Sequence, residues 1–532
     1  MSHWLVVPIV LPAIMAGITV LALRHDILLQ RLASLASMLA CLAVAIGLLV
    51  QAADGSVIVY ELGDWEAPFG IVLVLDRLSA MLVTLTAFLA VMVLLYAISG
   101  WDQRGRHFHA LFQFQIMGLN GAFLTGDLFN LFVWFEVLLL ASYGLMLHGS
   151  GADRLKAGTH YVIVNMTGST LFLIAVALIY GATGTLNMAD LAVKVPLVAP
   201  ESQAILQTGG VLLLLVFGIK AALVPLHFWL PGTYAATSAP VAALFAIMTK
   251  VGGYSIIRIY TLVFGGDAGD AAWLAGPWLL PLAMVTLVLG MVGALAARSL
   301  RWLTAFAVIG SMGMLLIAVA VFEETATTAA LYYMLHSTLI AAALCLLIEL
   351  IIERRGGLGD RLELTPLPAQ ADLMSGLFFV AAIAMTGLPP LSGFIGKLLI
   401  LDGVRQSPFA PLIWATILIT SLLVIVAFTR AGSTIFWKSR NVAATNETAM
   451  LADIRQPVLP VVVVAVLLAG TAAITAFGGP VFRYLEATTD QLYRPQVYIA
   501  TVLGQPAPPV EVLDPDLAAL SPTPAGLRPR GP

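Results

Sequence analysis

Charge is what this sequence lacks. Only 10% of its 532 residues are Asp, Glu, Lys or Arg, against roughly 25% in an ordinary soluble domain. Cysteine is scarcer still: Cys41 and Cys345 are the only two, each inside an apolar run. That excludes a disulfide-stapled scaffold and a cysteine-ligated cluster, and both are read as small core residues. No nucleotide- or flavin-binding motif is present, and no oxygen-rich metal cage stands out. No cofactor, catalytic residue or metal ligand is therefore expected, and nothing points to nucleic acid as a partner. Ahead of the first apolar run stand only Met1, Ser2 and His3. A signal peptide would carry a basic segment and a small-residue cleavage site, so residues 4–23 are expected to remain as a first span.

Hydrophobic residues are what the sequence has, at 60% of the chain. They fall into runs long enough to cross a bilayer as helix, which takes ~20 residues. Fourteen such runs lie near 4–23, 32–51, 75–98, 109–126, 128–148, 160–180, 208–228, 239–263, 273–296, 302–322, 327–351, 373–403, 409–437 and 457–478. The expected fold is thus an all-α polytopic membrane protein. Pro225 interrupts the seventh run, and Pro389 and Pro390 interrupt the twelfth. Proline removes a backbone donor and clashes with the preceding turn, so both helices should break there.

Loop charges give the orientation, because basic residues favour the cytoplasmic side. With the N-terminus outside, the inner loops collect most of the basic residues, from Arg24 and Arg31 through Arg154, Arg301 and Arg354 to Arg440 and Arg455. The outer loops between spans keep only Lys194 and Arg405, beside acidic residues such as Asp54, Glu61, Asp64 and Glu66. Adding or removing one helix scrambles this alternation, so an N-out, C-out topology is expected. Residues 479–532 read as a polar, Pro-rich and poorly ordered outer tail.

Five ionisable residues belong to no loop. Glu136 lies in the fifth span, Lys220 just before the break in the seventh, Lys250 midway along the eighth, His336 in the eleventh, and Lys397 just after the break in the twelfth. Arg258, nearer the outer end of the eighth span, is expected to snorkel to the surface. A charge at mid-membrane costs at least ~2.5–3.5 kcal/mol on insertion scales. Ion pairing between helices is the bland explanation, but three lysines and one glutamate cannot all neutralise one another. For His336 the bland reading is a hydrogen-bonded core histidine. A desolvated lysine gives up its proton more readily than one in water, so such a row is a set of coupled titrating sites. Broken helices expose backbone groups that are tolerated only inside protein or along a hydrated cavity. Proton movement through the membrane is the function these features point to, in an ion transporter subunit rather than an enzyme. The two breaks, five spans apart and each beside a lysine, also suggest two five-helix units of opposite orientation.

The stretch from Lys220 through Pro225, His227, Trp229, Pro231 and Gly232 to Pro240, followed by Met248-Thr-Lys250-Val-Gly-Gly-Tyr254, resembles the core signature of the antiporter-like subunits shared by respiratory complex I and Mrp-type cation/proton antiporters. Leu388-Pro-Pro-Leu-Ser-Gly-Phe-Ile-Gly-Lys397 resembles that family's broken twelfth helix. Together the matches cover roughly residues 70–440. The Phe228-Trp-Leu-Pro-Gly232 segment is most similar to the D-type member of the Mrp antiporters, since complex I members usually place Asp where Gly232 stands. Thr237 departs from the small residue of many relatives.

The resemblance implies roles. Glu136 corresponds to the fifth-helix glutamate, Lys220 to the seventh-helix lysine paired with it, Lys250 to a connecting lysine, His336 to a central-axis histidine and Lys397 to the terminal lysine. His227 is read as capping the broken helix. The implied organisation is an N-terminal three-helix segment (1–108), two inverted five-helix repeats (109–263 and 273–437), a C-terminal helix (438–478) and the tail. The implied function is the proton-translocating subunit of a multisubunit sodium or potassium/proton antiporter in a bacterial inner membrane, with Mrp-type subunits of types A, B, C, E, F and G as partners. The alternative is a proton-pumping subunit of complex I or a related hydrogenase, whose redox chemistry would reside in partners.

Overall fold

A computed structural model describes residues 2–442 and 457–505 of the chain. The first helices are α1 (Val7–Leu21), α2 (Ile27–Ala52), α3 (Arg77–Ala97), α4 (Phe108–Leu124), α5 (Leu128–Met146) and α6 (Ala152–Thr183). A short α7 (Met188–Lys194) leads to α8 (Pro200–Lys220), α9 (Trp229–Ala236) and α10 (Ala239–Leu262). Then follow α11 (Gly276–Ala296), α12 (Leu300–Ala320), α13 (Glu324–Glu353), α14 (Ala371–Thr386), α15 (Ser392–Gly403) and α16 (Ala410–Gly432). The last three are α17 (Leu459–Ala476), α18 (Gly478–Tyr493) and α19 (Gln496–Val502). Among the described residues, eleven helices are long and apolar enough to cross a membrane, with α1 and α14 as shorter apolar helices.

Several helices start where a short polar side chain takes over an orphan backbone N–H. Asp26 accepts from Leu29, Asp127 from Asn130 and Ser299 from Trp302. Asp76 forms a reciprocal capping box with Ser79 at the start of α3. These caps sharpen helix boundaries that an apolar run alone leaves loose.

The helices are not equivalent. All 24 residues of α10 are buried, and α12 and α13 pack against it with most of their surface covered. An apolar helix covered on every side belongs at the centre of a large bundle. Lys250 therefore sits in the core of the protein, whereas α2, α6, α16 and α17 present much of their apolar surface outward.

Three features differ from the sequence reading. The loop between α2 and α3 forms an antiparallel pair, β1 (Ile58–Glu61) and β2 (Val72–Leu75), in which Ile58 faces Leu75 and Glu61 faces Val72. Its β-branched residues suit a half-covered pleat. Residues 478–502 are helical rather than poorly ordered. In α18 the spacing of Leu485, Thr488, Thr489 and Leu492 buries one face, and Thr489 and Tyr493 hydrogen-bond Thr328 and Thr327 of α13 at 2.9 Å each. Most of the tail's prolines come after residue 505, outside the described residues, and Arg455 lies outside them too, between residues 442 and 457. Finally, Arg258 does not snorkel. It is 4% exposed and grips Asp76 with two hydrogen bonds, Nη1–Oδ2 at 2.6 Å and Nη2–Oδ1 at 2.9 Å. A fork-to-fork pair of this kind holds a guanidinium below the surface, and here it ties α10 to the cap of α3.

Candidate functional site

Each broken helix leaves carbonyls and N–H groups to be satisfied. At the first break, after Lys220, Ala222 adopts the left-handed conformation (φ 56°) and the Leu223 N–H turns back to the Gly218 carbonyl at 2.8 Å. The Trp229 indole caps the Ile219 carbonyl at 2.9 Å, and Thr286 of α11 accepts from the Val224 N–H at 2.9 Å. Among the described residues the His227 Nδ1 is buried without a hydrogen-bond partner. Neighbouring groups thus close the break, and the Lys220 ammonium is left to reach elsewhere. Gly252 of α10 permits that approach: a Cβ there would lie 2.6 Å from the Ala221 nitrogen and 3.0 Å from the Lys220 Cβ.

The direct pairing of Lys220 with Glu136 that the resemblance implies is not present: among the described residues they form no ion pair. Helix α6 stands between them. Lys220 Nζ donates to Asn165 Oδ1 at 3.0 Å and lies 5.6 Å from the Phe135 ring centre, a cation–π distance. Glu136 accepts from the Ser169 hydroxyl. Asn165 and Ser169 are one helical turn apart on the same face, so α6 supplies the polar link. The Glu136 carboxylate still acts on Lys220 through space. A lone mid-membrane charge stands out in a sequence, whereas Asn165 and Ser169 are neutral and sit beside Thr167 and Thr170. Their only signal is the i, i+4 spacing.

At the second break the arrangement is different. Gly387 takes φ 73° and ends α14, with the Leu388 N–H bonding back to the Ile383 carbonyl at 3.0 Å. The Thr386 carbonyl is held by the Lys397 ammonium itself, at 2.7 Å, and that ammonium also donates to Ser421 Oγ at 2.8 Å. A cation at a helix C-terminus meets the negative end of the helix dipole. His336 of α13 fastens the same break, with Nδ1 2.8 Å from Ser392 Oγ.

Lys250 lies between these two assemblies. It is fully buried, and among the described residues its ammonium bonds only Sδ of Met312, at 3.2 Å. A thioether is a weak acceptor. The five expected residues thus fall into one linked pair, Glu136 and Lys220, and a second group, His336 and Lys397 at the later break, with Lys250 between them. Gly252, two residues from Lys250, meets the Lys220 side. Among the described residues no cluster of three or more His, Cys, Asp or Glu side chains is placed to hold a metal ion.

Known proteins share this architecture. Residues 125–429 match the family model described as NADH:quinone oxidoreductase/Mrp antiporter, TM. The chain is 41% identical to a probable K(+)/H(+) antiporter protein of the D type from Rhizobium meliloti (strain 1021), over 95% of this chain and 98% of that one. It is 35% identical to the D-type component of the Na(+)/H(+) antiporter of Alkalihalophilus pseudofirmus, over 95% and 100%. Among solved structures it superposes on a chain of the Mrp complex from Dietzia sp. DQ12-45-1b with a TM-score of 0.84 at 29% identity, covering 95% of this chain and 100% of that chain. A chain of respiratory complex I from Thermus thermophilus has a TM-score of 0.73 at 23% identity, over 92% of this chain and 99% of that one, a likeness of fold. The chain belongs to the family of membrane subunits common to NADH:quinone oxidoreductase and the Mrp antiporters.

Proposed function

We propose that this chain is the D-type, proton-translocating subunit of a multisubunit Na+ or K+/H+ antiporter in a bacterial inner membrane. Its partners in this reading are subunits of types A, B, C, E, F and G. Protons move along Glu136, Lys220, Lys250, His336 and Lys397, with Pro225, Pro389 and Pro390 breaking two helices so that the path can hydrate. The observation that carries the reading is Lys250, an amine in the fully buried centre of the bundle with only a thioether sulfur to bond. A permanent counter-ion calls for a carboxylate partner; a site that gains and loses a proton is served by a poor one.

The finer architecture belongs to the same proposal: fourteen spans with both termini outside, and inverted units at 109–263 and 273–437 between a three-helix segment (1–108) and a final helix (438–478). The relatives' names favour antiport over the complex I alternative, while the family model names both. The test is cation-dependent proton flux in vesicles carrying the assembled complex. Lys250→Ala should remove the flux while the complex still assembles; normal flux from that variant would overturn the reading.

A further inference from the structure

At the membrane end that carries the basic loops, the first residues of α10 meet α9, α12 and α13 around a small cavity of about 20 Å³. That is room for one water molecule. Tyr234, Thr237, Arg301, Thr304 and Glu349 supply its polar lining. Thr237 Oγ1 and Thr304 Oγ1 are buried without a hydrogen-bond partner, as is Ser238 Oγ beside them. Buried hydroxyls are rarely left unsatisfied, and a water between them is the usual resolution. Glu349 is buried at the edge of the cavity, and Arg301 Nη2 binds its Oε2 at 2.7 Å. The Arg301 side chain is 29% exposed against 7% for Glu349, so the guanidinium lies on the loop side of the carboxylate.

From this cavity the hydroxyls run inward. The Tyr234 hydroxyl donates to the Phe245 carbonyl at 2.5 Å, and the Thr249 hydroxyl to the Ala246 carbonyl at 3.2 Å. Thr249 immediately precedes Lys250. Along α12, Thr304 is eight residues from Met312, the residue that Lys250 touches, which corresponds to about 12 Å of helix rise.

We propose that this cavity is the access route between Lys250 and the basic-loop side, with Glu349 as the carboxylate that passes protons out to that side and Arg301 as its movable cover. A proton leaving the Lys250 ammonium passes through the cavity water and the hydroxyls to the Glu349 carboxylate. Lys250 becomes a neutral amine, and Glu349, once it has released the proton to the basic-loop side, is again a carboxylate paired with Arg301. Thr237, unusual within the recognised motif, is then one of the side chains that hold the water. The proposal rests on Lys250 being a proton relay.

The experiment is antiport in vesicles containing the full complex, with assembly measured for each variant. Glu349→Gln removes the titratable group and should lower flux by about 10²-fold, the scale of a lost proton-transfer group. Glu349→Asp should recover much of it. Arg301→Lys keeps the cation and Arg301→Ala leaves the buried carboxylate without its counter-charge; read per assembled complex, both should retain much more flux than Glu349→Gln. Equal losses in Glu349→Gln and Arg301→Ala would show that the pair is only a structural clasp, and the proposal would fail. Normal flux from Glu349→Gln beside an inactive Lys250→Ala would refute the access route and leave the relay standing. Normal flux from Lys250→Ala would instead remove the relay reading itself.

Discussion

The two broken helices solve the same problem in opposite ways. At the first break, neighbours close the backbone: the Trp229 indole holds the Ile219 carbonyl and Thr286 accepts from the Val224 N–H. Lys220 is therefore free to reach Asn165 on α6. At the second break the lysine is itself the closure, because the Lys397 ammonium bonds the Thr386 carbonyl at the end of α14. Both breaks carry a lysine, yet only one lysine is part of the backbone's own accounting. In the first half of the molecule the buried ammonium and the closure of the backbone are separate; in the second half one ammonium is itself the closure.

The largest expected contrast is between alanine variants of the two lysines. Both should lose transport, but Lys397→Ala also strands a backbone carbonyl, at a cost of about 1–3 kcal/mol. Less assembled complex should be recovered from Lys397→Ala than from Lys220→Ala, whose partner Asn165 is a side chain free to turn. Lys397→Gln retains an N–H donor and should restore assembly without restoring flux. Equal recovery of all three variants by detergent extraction and chromatography would erase the contrast.

The Asp76–Arg258 pair lies at neither break and serves as a purely structural control. Removing one member of a buried ion pair typically costs about 3–5 kcal/mol. Arg258→Ala should therefore lower the thermal midpoint of the purified complex clearly, with flux per assembled complex unchanged. A specific loss of flux at normal stability would place this pair on the path.

Replacing Pro389 and Pro390 together by Ala should sharpen the second half of the comparison. A helix continued through this point bonds the Thr386 carbonyl internally and takes away the partner of Lys397. Proton flux should fall more than expression does, by roughly tenfold if the change costs about 1.4 kcal/mol at the path. Unchanged flux would detach the break from transport.

The smallest effect is expected on α6. Ser169→Ala leaves Glu136 without its hydroxyl donor, and a hydrogen bond to a charged group is worth about 1.5–3 kcal/mol. Water can replace a hydroxyl more readily than it can replace a titrating group, so flux should drop several-fold rather than vanish. Glu136→Ala, by contrast, should abolish transport with the protein still in the membrane. If Ser169→Ala proves as damaging as Glu136→Ala, Ser169 is itself a relay.

Much of this was legible in the sequence, for identifiable reasons. Apolar runs mark helices because the bilayer tolerates no unpaired backbone, so each run corresponds to a helix or a broken helix. Pro225 and the Pro389-Pro390 pair marked both breaks, since proline cannot continue the helical ladder. The five ionisable residues within the apolar runs stood out against their background. What stayed hidden was contact between distant segments. Asp76 and Arg258 are 182 residues apart, and nothing local couples them. Asn165 and Ser169 are neutral, so no anomaly of charge exposed them. The helix at 478–493 was legible in its periodicity, but overall composition outweighed pattern there.

The most direct measurement is antiport by Lys250→Arg across a pH series, in vesicles where assembly of the complex has been verified. Arginine keeps its proton at every working pH, with a pKa above ~12, so it can supply charge to the core of α10 but cannot relay. The expected result is an assembled complex with little cation-dependent proton flux at any pH, and partial recovery in Lys250→His, whose unperturbed pKa is ~6.5. Wild-type rates from Lys250→Arg would mean that Lys250 supplies only charge, and that protons do not pass through it.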